Sequence, residues 1–133
     1  MKRCVLFGLV LILSTGTLHA GVLQAPAGSV IKRAEAGLTE AEKVDRLIQF
    51  VRSMKDATFI RNGSEHTCQE AADHLRSKWE KHRDKIGSAR EFIQELASKS
   101  GFSGEPYKIR FRDGTEVTTG TVLSQELARL EKL

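Results

Sequence analysis

The stretch Tyr107-Lys-Ile-Arg-Phe-Arg-Asp-Gly-Thr-Glu-Val-Thr118 decides whether this chain is purely helical or mixed. Tyr107, Ile109 and Phe111 alternate with Lys108, Arg110 and Arg112, the period-two pattern of a half-exposed strand. Asp113-Gly114 then reverses the chain. A plain two-residue loop sets Val117 against Arg110, whereas a bulged loop over Arg112 to Gly114 sets Val117 against Ile109. Register follows the buried face, so the bulged loop is favoured, with Gly114 left-handed. The hairpin should span about residues 106–118.

Every flanking segment reads as helix. Downstream, Val122, Leu123, Leu127 and Leu130 mark a helix over about 121–132. Upstream, three Thr/Ser-x-x-Glu boxes each precede an apolar stripe, so each side chain can satisfy an amide left free in a first turn. Ser88 and Glu91 precede Ala89, Phe92, Ile93, Leu96 and Ala97, a helix over about 89–100 that Gly101 should stop in a left-handed conformation. Thr67 and Glu70 precede Cys68, Ala72, Leu75 and Trp79, over about 68–85. Thr39 and Glu42 precede Val44, Leu47, Ile48, Val51 and Met54, over about 40–55. Between the first two helices, Ala57 to Ile60 suits a short buried extended segment, and Asn62-Gly63 a turn. The fold class is α+β, a small domain of about four helices and one β-hairpin.

Residues 1–20 read as an address. Met-Lys-Arg leads an uncharged run from Cys4 to Leu13, and a small residue, Ala20, precedes the polar chain. A spanning helix needs roughly 20 apolar residues, so a cleaved signal peptide is expected and no stable span after it. Cleavage after Ala20 fits best, with Ala27 as the fallback. Residues 21–38 form a flexible lead-in and residues 39–133 a single domain. This organisation implies export of the mature chain.

Composition narrows the chemistry. The 133 residues are 40% hydrophobic and 29% charged, with only 2 Pro and 2 Cys, which excludes collagen-like, disordered and disulfide-scaffold chains. The formal charge of +4 falls to +2 once Lys2 and Arg3 leave with the leader, which argues against nucleic acid as a partner. Cys68 is then the only thiol, and its place on the stripe with Leu75 and Trp79 predicts a buried, structural role. No phosphate-cradling glycine loop, dinucleotide fingerprint or Cys-x-x-Cys occurs, so no cofactor is expected.

Four strings taken together resemble a known family: Phe59-Ile-Arg-Asn-Gly63, Ala71-Ala-Asp-His-Leu75, Phe92-Ile93 and Ser103-Gly-Glu-Pro-Tyr107. Their order and spacing resemble a family of small secreted proteins of Gram-negative bacteria that has no assigned function. The resemblance covers about residues 39–130. It implies a bacterial, periplasmic protein of one domain and carries over no catalytic residue.

His66, Glu70 and His74 lie four residues apart, so they drift by only about 40° per step around a helix and can project like metal ligands. That pattern supports the alternative of a small envelope hydrolase or metal-dependent enzyme. Against it, His66 precedes the Thr67 cap, and the set lies opposite the apolar stripe, on the face expected in water. Ser103 lies between a helix and a strand, the reverse of a nucleophile elbow. Arg61 and Asn62 form a polar turn beside an apolar segment and suit a binding loop. Two basic groups remain: Arg76, Lys78, Lys81, Arg83 and Lys85 complement the dipole at the end of their helix, and Lys108, Arg110 and Arg112 form a row that guards a sheet edge. Converging, the two groups can hold an anion. The reading favours a small periplasmic binding or interaction protein without enzymatic activity, using Arg61, Asn62, Lys108, Arg110 and Arg112. Its partner is an anionic envelope component or an envelope protein.

Overall fold

A computed structural model describes residues 37–133. The leader at 1–20 and nearly all of the lead-in at 21–38 lie outside the described residues, although Leu38 itself packs against the core. Helix α1 (Glu40–Ser53) starts on the Thr39 box: Thr39 Oγ1 accepts from the Glu42 amide at 3.2 Å, and the Thr39 amide donates to Glu42 Oε2 at 2.9 Å. Val44, Leu47, Ile48 and Val51 are fully buried on its inner stripe. Helix α2 (Cys68–His82) repeats the device on Thr67 and Glu70 and buries Cys68, Ala71, Ala72, Leu75 and Trp79. Ion pairs of Arg52 with Asp73 and of Arg76 with Asp45 tie α1 to α2.

Helix α3 (Ala89–Glu91) is brief and runs into a π-helical segment, Phe92–Ala97. Its box forms by half. Ser88 Oγ accepts from the Glu91 amide, but the Glu91 carboxylate takes the Gly87 amide at 2.7 Å, and Glu40 reaches over from α1 to cap Ala89. The wider i→i+5 turn draws Phe92, Ile93, Leu96 and Ala97 toward one buried face, and Ser98 Oγ donates to the Ile93 carbonyl five residues back. Phe92 meets Trp79 edge-on with ring centroids 5.9 Å apart. The helical run ends at Ala97, not 100, and the left-handed glycine that follows is Gly104 (φ 74°), not Gly101. Helix α4 (Thr119–Leu130) starts earlier than its apolar stripe suggests, because Thr118 caps it.

The sheet is larger than one hairpin. Strands β1 (Thr58–Arg61), β2 (Ser64–Thr67), β3 (Lys108–Arg110) and β4 (Glu116–Thr118) form one antiparallel sheet in the order β2-β1-β3-β4. Asn62 (φ 49°) and Gly63 (φ 76°) both take positive φ, the requirement of a type I′ turn, so β1 returns as β2. Segment Ser64–Thr67 is entirely polar because it is an exposed edge, which hides it from any search for alternation. In the second hairpin Ile109 lies opposite Val117, the Phe111 amide donates to the Thr115 carbonyl, and Gly114 is left-handed at φ 88°. That is the bulged register. The hairpins join where Phe59 lies opposite Ile109, and these two carry the sheet's buried face. Ile60, Lys108 and Arg110 alternate onto the other face.

Cys68 is 3% exposed, its thiol donates to the Ala57 carbonyl at 3.4 Å, and burial pushes its pKa up. Helix-dipole activation at this first-turn position is therefore outweighed. The native protein should resist a thiol reagent that labels the denatured chain within the same interval. Labelling at equal rates in both states contradicts this placement.

Candidate functional site

Three segments far apart in sequence meet at one end of the sheet. The Asn62-Gly63 turn aims Arg61 and Asn62 outward, α2 supplies His74 and Lys78, and the Ser100 to Tyr107 loop closes the third side around a cleft of about 390 Å³. The closure is held by hydrogen bonds. Ser103 Oγ donates to Asn62 Oδ1 at 2.7 Å, which hooks the loop to the turn. Within the loop, the amides of Phe102 and Ser103 both donate to Ser100 Oγ at 3.3 Å, and the Gly104 amide donates to the Ser100 carbonyl at 2.9 Å. Three of the four strings quoted for the family resemblance thus supply Arg61, Asn62, His74, Ser103 and Tyr107 to one place.

Tyr107 is the floor. It is 2% exposed and packs on Phe59 with ring centroids 5.3 Å apart, so the cleft rests directly on the core. Its hydroxyl lies 3.4 Å from His74 Nε2, and Lys78 Nζ sits 5.2 Å from the centroid of its ring, a cation–π contact. The Lys78 ammonium also donates to the carbonyls of Leu96 at 2.6 Å and Lys99 at 3.3 Å, closing off the π-helical segment. No carboxylate lines the cleft, and among the described residues neither Arg61 nor Lys78 has an ion-pair partner.

Titration behaviour follows from burial first and from that surplus of cations second. Burial first, then Arg61, Lys78 and further cations, push the His74 pKa down from 6.5 to about 4. Burial and Arg61 lower Lys78 as well, and burial raises the Tyr107 hydroxyl. The folded protein therefore prefers neutral His74, and between about pH 4 and 6.5 the unfolded chain binds the extra proton. This contribution to stability is complete above that window and is lost as pH falls through it. Proton resonances of the His74 ring should titrate near pH 4, and His74→Asn should flatten the stability profile between pH 4.5 and 6.5. A midpoint near 6.5 contradicts the half-buried, cationic setting of His74.

The candidates named from sequence are dispersed. Arg61 and Asn62 line the cleft. Lys108 and Arg110 lie on the open face of the sheet, in a separate depression of about 410 Å³ that also holds Glu105 and Glu116. There Arg110 pairs with Glu65 and Glu116, and Lys108 approaches Glu116 at 3.8 Å, so that part of the row meets carboxylates of this chain. Arg112 stands apart, beside Met54, Lys55 and Asp56. His66 lies on β2, and Glu70 is held below the usual carboxylate range by the Thr67 amide and hydroxyl that it caps. Only His74 of that trio enters the cleft, and among the described residues no group of three or more His, Cys, Asp or Glu is placed to hold a metal ion. Sequence reasoning passed over Ser100 and Phe102 and placed Lys78 only within the basic run of α2. The signal for Lys78 was its place one turn after His74 on α2.

Over 74 residues the chain is 38% identical to the uncharacterised protein YfeK of Salmonella typhimurium strain LT2, an alignment covering 56% of this chain and 62% of that protein. The chain thus spans less than two thirds of its relative's length. No solved structure matches it significantly. Residues 38–131, which include every residue of the cleft, match a family of unknown function (DUF5329), and the chain belongs to that family.

Proposed function

We propose that the protein is exported to the periplasm and acts there as a binding module, without catalysing a reaction, for a ligand whose anionic group enters the cleft between Arg61 and Lys78. One observation carries the reading: among the described residues, two cations without ion-pair partners line a cleft that holds no carboxylate, on a floor buried in the core. An anion entering there meets two cations that no carboxylate of the described residues neutralises. Binding is favoured over catalysis because His74, the one imidazole in the cleft, is a weak base at pKa about 4 and is engaged by Tyr107.

Titration of the labelled protein with inorganic phosphate, followed through its backbone amides, tests the reading. Shifts should saturate and cluster at Arg61–Gly63 and Ser100–Tyr107, and Arg61→Gln should abolish them. Shifts confined to Lys108 and Arg110, or none at all, overturn it. Export rests on the Lys2-Arg3 start and the short apolar run. Protein recovered from periplasm should have the mass of a chain beginning at Gly21, and a membrane-retained chain keeping Met1 contradicts export.

A further inference from the structure

Phe102 is 99% exposed at the tip of the Ser100 to Tyr107 loop, so its ring contributes nothing to the core. A ring in that position on a floppy loop would be unremarkable. Here the loop is braced at both the Phe102 and Ser103 amides by Ser100 Oγ, across its base by the bond from the Ser100 amide to the Glu105 carbonyl, and sideways by Ser103 to Asn62. Backbone rigidity means that little entropy is lost when the tip is held by something else. The cations lie behind the tip: Arg61 and Lys78 in the cleft at its foot, Lys99 exposed at the start of the loop, and Lys81 on α2 close enough to His74 to lower its pKa.

An apolar tip with a basic base matches a surface layered in the opposite order, with anionic groups outside and hydrocarbon beneath. We infer that the Phe102 loop docks the protein on an anionic phospholipid surface, the ring entering the headgroup–acyl boundary while lipid phosphates meet Arg61 and the neighbouring lysines. This rests on the anion-binding reading of the cleft and names the source of the anion. A protein groove is the weaker fit, because a single projecting ring on a convex loop needs a matching pocket, whereas a fluid lipid surface yields to it. Charge complementarity decides for lipid.

Cosedimentation with vesicles tests the assignment. Vesicles of phosphatidylglycerol and phosphatidylcholine in equal parts should carry the protein down, pure phosphatidylcholine should not, and binding should weaken as salt rises from ~0.05 to ~0.5 M. Phe102→Ser should weaken vesicle binding by about fivefold or more. Circular dichroism of this variant should match the wild type, since the side chain is fully exposed. Unchanged vesicle binding by Phe102→Ser overturns the docking assignment. Wild-type protein that binds free phosphate but no vesicle overturns the lipid assignment and leaves the cleft reading standing. Protein that binds neither overturns both.

Discussion

Tyr107→Ala should lower the unfolding free energy by about 3–5 kcal/mol, the range for truncating a large aromatic in a core. The ring is 2% exposed, touches Phe59 in the sheet and lies under the Lys78 ammonium, so its loss opens a void between the sheet and α2. Marginal domains hold only about 5–15 kcal/mol in all, which makes this a third or more of the total for a weakly stable chain. Tyr107→Phe removes only the hydroxyl, whose contact to His74 Nε2 is long at 3.4 Å, and should cost about 1 kcal/mol. Urea melts of the two variants separate packing from hydrogen bonding. Similar losses in both would make the hydroxyl network, not the ring, the support of the cleft floor.

Ile109→Ala should cost about 2–5 kcal/mol, because its side chain is fully buried against Phe59 at the junction of the two hairpins. In a domain of this size that is a fall in melting temperature of ~10–20 °C or more. Arg110→Ala, one residue on, should cost far less. Arg110 has two carboxylate partners, Glu65 and Glu116, but its side chain is 38% exposed, and surface ion pairs contribute little in water. Thermal melts of both variants decide it. Equal shifts would mean that the strand presents a different face to the helices.

Much of the fold was legible because its determinants are local. The Thr39 and Thr67 boxes form as their spacing requires, each between residues three apart. The Gly114 bulge and the register of Ile109 on Val117 follow from alternation plus one turn. The α+β class stands on those elements. Where local signals misled, a distant partner had intervened. Glu91 reads as the acid of a capping box, yet its carboxylate goes to Gly87 while Glu40, 49 residues upstream, takes the Ala89 amide. The Ser88 helix then opens into a π-turn that fits Phe92 against Trp79, a contact no helical period announces.

The candidate site divides the same way. Arg61 and Asn62 were visible as a polar turn, since Asn-Gly specifies its own backbone. Lys108 and Arg110 looked equally free; the hairpin register sets Glu116 opposite Arg110, and only the pairing of the two hairpins brings Glu65 to it. Their charge is met within the chain because β1 lies between β2 and β3, an order that no local rule sets. Lys78 looked like one more cation complementing a helix dipole, until the tertiary structure set it beside Tyr107 with no carboxylate in the cleft.

The sequence by itself determined the helices on the Thr39 and Thr67 caps, the second hairpin, the two tight turns and the buried stripe of each helix, because these depend on interactions spanning a few residues whose chain-closure cost is small. Only the tertiary structure decided which strands are neighbours, which cations keep their charge uncompensated and what stands around His74. Those outcomes depend on through-space electrostatics and burial between segments tens of residues apart, as Phe59 and Ile109 are, and neither falls off with distance along the chain.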